Sequence, residues 1–415
     1  MGVSNDSGQE SEQGFEQDTD GDSGHNSVRS STNESSRDDA RLELCFHTSL
    51  SEIDAFEWNN LAGTSDPFTR YEFLSALETH NCVGQEYGWY PYHLAIRDSS
   101  EKLIGACPLY IKTNSYGEFV FDWSWASAYE QSSLEYYPKI VSSIPYNPVS
   151  GARLLAQSVA IKKLMVKQII RLTEKMNMSG SHILFTTDED TEICQQLGMQ
   201  QRIGCQYHWK NKHYTDFEDF ISTFVSRKRK KVKRERRKVA EENITFTIKS
   251  GDQASTNEIS KAHHFYESTF DRKSGLPTLS KGFFKEIALT MGEQLIFIFA
   301  MHKDKIIACA ICFKSDDALF GRFWGCESTY DSLHFETCFY QGIEYCIQHK
   351  LQRFEPGAQG EHKITRGFLP TITWSSHWIA NQQFREPIYS FCEREKIAMR
   401  EQYEELMTLS PYRSE

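Results

Sequence analysis

The stretch Arg353 to Ile379, RFEPGAQGEHKITRGFLPTITWSSHWI, crowds three glycines, a Pro-Gly turn and the charged residues Glu355, Glu361, His362, Lys363 and Arg366 into a span that composition alone assigns to a short strand, RFE, and a loop. Loops near glycines are where a scaffold usually places its chemistry. Gly357 and Gly360 let the backbone turn sharply and lie close to a ligand. The acid, base and cation beside them supply groups that take a proton or hold an anion, and Gln359 between the glycines is a candidate substrate contact. The alternative reading is a strand followed by a polar turn.

Outward from this stretch, the preceding residues alternate between strand and helix patterns. Strand ITFTIKS is followed by helices NEISKAHHFYESTF and SKGFFKEIAL, strands QLIFIFAM, KIIACAICF and ALFGRFWGC, and helix HFETCFYQGIEYCIQH. A closing helix, REPIYSFCEREKIAMREQYEEL, lies beyond. A similar order occurs earlier. Strand Leu42 to His47 and helices SEIDAFEWNNLA and Arg70 to Thr79 precede three strand-like runs, YPYHLAIRD, KLIGACPLYIKT and GEFVFDWSWASAY, read as an antiparallel meander. A helix from Val159 to Met176, strand SHILFT, a helix ended by Gly198 and strand RIGCQYHWK follow. The fold class expected is α/β (α+β) with mixed, largely antiparallel sheets: two structural repeats, residues 41–215 and 244–415, joined by a basic helix over 216–243.

A chain of 415 residues with 39% hydrophobic and 13% aromatic content is globular and has room for two or three domains. Residues 1–40 hold ten Asp/Glu and two Arg, so they carry −8 of the net charge of −11, with Phe15 as their only aromatic residue; a disordered acidic tail is expected. Eleven cysteines without a repeated spacing fit a reducing compartment rather than a disulfide framework. Cys309 and Cys312 lie in a strand pattern that sends their thiols to opposite faces. No apolar run approaches the ~20 residues that span a bilayer. The N-terminus has neither a basic n-region nor an apolar h-region, so a cytoplasmic protein without a transmembrane segment is expected. His263 and His264 lack neighbours at ligand spacing, and no metal is expected.

From Arg227 to Lys238, ten of twelve residues are Lys or Arg. Arg227, Lys228, Lys230 and Lys231 are candidates to hold the phosphates of a donor, of tRNA or of another polyanion; a solvated helix face and a nuclear import signal are the alternatives. His334 and Glu336 stand at a helix start, where they either cap the helix or face a cleft as proton acceptor and orienting carboxylate. Trp324, Trp374 and Trp378 line a groove or pack a core. Trp324 and His377 are taken as substrate contacts.

The segments YNPVSGARLL (146–155), SRKRKKVKRERR (226–237), FYESTFDRKSGLPTLSKGFF (265–284), GRFWGCES (321–328), LHFETCFYQGIEYCI (333–347) and FEPGAQGEHKITRGFLPTITWSSHWI (354–379) occur in family order. Through them the chain, from about Leu44 to Arg400, resembles the FemAB-like family of GNAT-related N-acyltransferases, peptidoglycan biosynthesis or recognition proteins. The resemblance implies two tandem GNAT-like acyltransferase domains with a cleft between them, and transfer of an acyl or aminoacyl group to an amine of a small-molecule or peptide substrate. The Q/R-x-x-G-x-G/A turn that holds the acetyl-CoA pyrophosphate in GNAT enzymes is missing from the sequence. No tightly bound cofactor is expected, and acyl-CoA and aminoacyl-tRNA both stay open as donor.

On this reading Glu361 or His362 is the base for the amine, and backbone N–H groups of the 357–360 turn or Lys363 stabilise the oxyanion. Arg366 holds a carboxylate or phosphate, and His334, Glu336 and Glu355 support or replace the base. Two other classes stay open: a silent module that recognises a peptidoglycan-like or peptide ligand in the same cleft, and an RNA-binding protein centred on the basic helix.

Overall fold

The computed structural model describes residues 42–271 and 275–413; the tail expected over residues 1–40 lies outside them. Its strands are β1 (Glu43–His47), β2 (Trp89–Pro91), β3 (His93–Arg97), β4 (Leu103–Cys107), β5 (Tyr110–Lys112), β6 (Lys139–Ser142), β7 (Gly180–Thr186) and β8 (Gln200–Lys210), then β9 (Thr245–Ser250), β10 (Leu295–His302), β11 (Lys305–Lys314), β12 (Ala318–Cys326), β13 (Arg353–Glu355) and β14 (Leu369–Ile379). β1, β3 and β4 form a small antiparallel sheet, and the others form one sheet in the order β2-β5-β6-β7-β14-β8-β13-β12-β11-β10-β9. Strands β10 and β11, LIFIFAMH and KIIACAICFK, are largely apolar on both faces, so each face needs cover. Phe297, Phe299, Cys309 and Ile311 enter one core, and Ile296, Ile298, Ala310 and Cys312 the other. The two cysteines therefore face opposite ways, as alternation requires.

Only two ladders in the large sheet are parallel among the described residues: β6 with β7 over Ile140–Ser142, and β12 with β13 over Ala318–Phe320. Each marks one repeat. Beyond them, β7 pairs antiparallel with β14, and β13 pairs antiparallel with β8. Strands β8 and β14 then pair with each other from Gln200–His377 to His208–Leu369. Each repeat thus closes its sheet against the last strand of the other, and the sheet runs unbroken through the middle of the molecule.

Four expectations are corrected. The run GEFVFDWSWASAY is a loop and a helix, Trp123–Gln131, because Glu118 and Asp122 turn inward to the buried Lys139 on β6. The two runs before it are each broken, around Tyr92 and at Pro108, and their outer ends β2 and β5 leave the small sheet for the large one. The 216–243 connection is two helices, Phe217–Ser222 and Ser226–Glu241, parted where Val225 N donates to Pro411 O at 2.9 Å. FLPTITWSSHWI, read as loop, is the central strand β14. The closing helix, Gln382–Met407, lies across β8 and β14. Among the described residues no helix is long and apolar enough to cross a membrane.

Candidate functional site

β13 leaves β12 after three ladder positions, while β12 runs on to Cys326. The chain from Pro356 to Arg366 occupies the splay. Lys363 Nζ closes this loop by donating to Gly357 O at 2.7 Å. Gly360 and Gly367 flank the helical turn Glu361–Arg366 with φ of 115° and 98°. A Cβ on Gly360 would stand 2.5 Å from His362 Cε1, and one on Gly367 2.7 Å from the Phe220 ring. The glycines are needed, and at these two positions it is the protein's own side chains that require them.

The turn sends its neighbours apart. His362 is exposed at one edge, its ring centroid 5.8 Å from those of Phe335 and Phe339 and 6.4 Å from that of His334. Trp324 meets His334 edge-on at 5.3 Å, so three of the expected residues gather here. Glu361 is exposed too, but its charge acts on Cys205 and Tyr207 of β8. Among the described residues no hydrogen bond joins Glu361 to His362.

Helix Ser226–Glu241 buries a stripe at helical spacing, Val232, Glu235 and Val239, and meets the turn through the first two. Glu235, the one acid in the basic run, accepts from Arg366 Nε at 3.1 Å and Nη2 at 2.7 Å and from the Tyr340 hydroxyl. Arg366 also stacks 3.4 Å over the Phe335 ring and donates to His362 O at 2.7 Å. Its guanidinium is buried and holds the turn. Glu336 is likewise engaged, by Arg236 at 3.0 Å and Gln341 Nε2 at 2.8 Å, with burial pushing its carboxyl above the ordinary range. Glu355 is buried beside Arg353, 3.0 Å away, and 3.7 Å from His208.

The outer face of the helix differs. Arg227, Lys228, Lys230 and Arg234 make no ion pair among the described residues, and with Lys231 and Lys233 they line an open groove of about 890 Å³. Burial, then the charges of Arg366, Lys363 and Lys231, hold His362 below the usual imidazole range. Burial also brings Lys363 down to about 8, the Cys338 thiol opposing. The His362 imidazole, neutral near pH 7, thus feels the charge of Lys231, one of the cations lining that groove. That arrangement can take a proton beside a bound polyanion.

The 356–360 loop also borders a second space, a cleft of about 280 Å³ over the middle of β8 and β14. Gln359 lines it, together with Phe119, Phe121, Gly204, Thr373 and Ser375. Arg202 spans its edge, bonded to Glu395 of the closing helix at 2.8 Å and to Phe121 O at 2.6 Å. His377 is buried below the cleft, with its Nε2 2.9 Å from Ser375 Oγ. Sequence reading missed Glu235, Arg202 and Ser375. Glu235 was visible as the lone acid three residues after Val232 and four before Val239. Ser375 needed β14 to be read as a strand, which places it on the face of His377.

Residues 49–414 match the FemAB-like family model, described as peptidoglycan biosynthesis/recognition. No curated protein matches the chain. Among solved structures, the C-terminal DUF2156 domain of a putative lysylphosphatidylglycerol synthetase from Agrobacterium fabrum is similar with a TM-score of 0.50 and 7% identity, over 85% of this chain and 98% of that one. FemX gives a TM-score of 0.49 at 10% identity, over 83% and 99% of the two chains. A tandem GNAT protein from the clavulanic acid biosynthesis pathway gives 0.42 at 9% identity, over 82% and 99%. At such identities the likeness is one of fold alone, a mixed α/β chain built around one large sheet.

Proposed function

The chain belongs to the FemAB-like family, and from that premise we propose that it is an amide-forming N-acyltransferase whose activated donor is carried by a polyanion of the aminoacyl-tRNA kind. The observation that supports this best is the His362 imidazole, kept neutral by partial burial and by the charges of Arg366, Lys363 and Lys231, the last of which also lines the groove with Arg227, Lys228, Lys230 and Arg234. Phosphates in the groove bring the acyl carbonyl to the splay between β12 and β13. An acceptor amine then attacks that carbonyl, His362 takes the proton that the amine must lose, and as the ester bond to the donor breaks the leaving oxygen receives that proton. The oxyanion faces Lys363 or the backbone N–H groups of the 357–360 turn. His334, Phe335 and Phe339 hold the imidazole by ring contact, with Trp324 edge-on behind His334. The acceptor is an amine on a small molecule or peptide of the peptidoglycan type.

The test offers radiolabelled aminoacyl-tRNA and acyl-CoA separately, with amine-bearing peptidoglycan precursors as acceptors. Wild-type protein forms a labelled amide from the tRNA donor. His362→Ala lowers turnover by ~10²-fold or more with little change in donor retention, because proton transfer is felt in the transition state. Wild-type protein that binds neither donor and forms no amide from either ends the reading.

A further inference from the structure

Ser375 and His377 are two positions apart on β14, so they share one face of the sheet, and that face carries the cleft beside Gln359. Behind His377 runs a line of buried polar groups. His377 Nδ1 lies 2.9 Å from His182 Nδ1 on β7, His182 Nε2 lies 3.5 Å from the Tyr136 hydroxyl, and that hydroxyl donates to Asp122 Oδ2 at 2.6 Å. Lys139 completes the line by donating to Asp122 and, at 2.8 Å, to Glu118.

The direction of each bond follows from the far end. Burial pushes the Asp122 carboxyl up, but the Lys139 ammonium bound to it outweighs burial and keeps the group ionised and acceptor-only. Tyr136 must therefore donate to Asp122, which leaves its oxygen to accept from His182 Nε2–H. A neutral imidazole has one proton, so His182 Nδ1 is bare and accepts from His377 Nδ1–H. The remaining lone pair of His377, on Nε2, then faces the Ser375 hydroxyl. Burial and the charge of Lys139 hold His182 down to about 3, and burial keeps His377 well below its ordinary range. Both rings are neutral near pH 7, as this assignment needs.

We propose that Ser375 is an activated nucleophile that takes a small acyl group as an ester in the cleft, with His377 as its base and His182, Tyr136 and Asp122 orienting that base. Nucleophile, base and a third group behind the base, each within hydrogen-bond reach of the next, are the signature of covalent acyl transfer. A cleft of about 280 Å³ lies just below the range of about 300–1,000 Å³ that most ligand sites span, and fits an acyl or aminoacyl group better than a whole donor. Ser375 Oγ attacks the carbonyl carbon of an ester or thioester and its proton passes to His377 Nε2. As the bond to the leaving oxygen or sulfur breaks, His377 returns the proton to that atom. An amine or water then attacks the acyl-serine, gives its proton to His377, and Ser375 recovers it when the ester bond breaks. The proposal rests on the acyl-transfer reading only for the source of the acyl group.

Nucleophilicity is tested without that source. Full-length protein is treated with a small fluorophosphonate, which loses fluoride as the Ser Oγ–P bond forms, and the adduct is located by peptide mass spectrometry. One dominant adduct is expected on Ser375 and none there in Ser375→Ala. The rate should fall by ~10²-fold in His377→Gln, the size expected for loss of a general base, and by less in Tyr136→Phe. Melting temperatures of all variants reveal any loss caused by unfolding, and Tyr136→Phe decides in place of His377→Gln if the latter does not fold. Absence of the Ser375 adduct in wild-type protein, or an undiminished rate in the folded base variant, overturns the proposal and makes the line of groups a purely structural tie between β7 and β14. His362 and the basic groove take no part in the labelling. Its failure therefore leaves the acyltransferase reading intact, and failure of the transfer assay leaves a labelled Ser375 intact.

Discussion

Lys139 and the outer face of helix Ser226–Glu241 carry the same kind of charge in opposite circumstances. Lys139 is fully buried and held by Glu118, Asp122 and the Ser115 hydroxyl, 3.0 Å away. Arg227, Lys228, Lys230 and Arg234 have no such partners among the described residues and line an open groove. A buried ion persists only with partners, and removing one strands the others; an exposed cation costs little and keeps its field for a ligand. The first group shapes the chain, since it folds residues 118–122 inward and turns an expected strand into a loop. The second is free to act on something outside.

If this contrast is right, Lys139→Met has the largest effect. Stranding Glu118 and Asp122 should cost about 3–5 kcal/mol in denaturant unfolding. Adding Glu118→Gln and Asp122→Asn should recover part of it, and no recovery would mean that shape, not charge, makes Lys139 necessary. On the basic helix itself, Glu235→Gln weakens the bidentate hold on Arg366 and should cost about 2 kcal/mol by the same measurement.

The outward set should behave in the opposite way. Replacing Arg227, Lys228, Lys230 and Arg234 together by Gln should change stability by less than about 1 kcal/mol. The same change should reduce the slope of log K against log salt for tRNA by about 3. A variant that unfolds would move these residues into the structural class.

Lys363 lies between the two classes, and pH separates its roles. Its folded pKa of about 8 lies below the 10.5 of a free lysine. Between those values the unfolded chain binds more protons, so the wild-type stability contributed by this group rises with pH across that window. Unfolding at pH 8 and pH 10 should show wild type gaining on Lys363→Met; a constant difference would place the amine in a more open setting. The smallest expected effect comes from deleting residues 1–40, which carry a net −8 and one aromatic residue. Melting temperature should stay within about 1 °C, while affinity for polyanions at ~50 mM salt should rise as a screening charge is lost. Equal affinity of the two forms would remove the screening idea.

Much of this architecture was legible in the residues. The apolar runs of β10 and β11, the helical spacing of Val159 to Met176 and the repeated element order led to two related α/β units, and the motif order led to the family. The 353–379 stretch was legible only in part. Gly357, Gly360 and Gly367 marked a turn, but the same punctuation disguised FLPTITWSSHWI as loop. Its alternation of Thr371, Thr373, Ser375 and His377 against Ile372, Trp374, Ser376 and Trp378 has polar residues on one side and apolar or small ones on the other. A period of two is a strand signal.

What the sequence determined by itself was local: which segments are helices or strands, where cations cluster, and which glycines must turn. Pairing was decided only by the tertiary structure, because a side chain's partner depends on what packs against it and not on what precedes it. Arg366 and Glu336, read as ligand-facing, are neutralised by Glu235 and Arg236 from a helix about a hundred residues earlier. His362 and Glu361, adjacent in the chain, are sent to different neighbours by one tight turn. His377 meets His182 because β14 enters the sheet between β7 and β8, a contact across 195 positions of sequence. Burial then sets the protonation of each group, and burial is a property of the packed molecule alone.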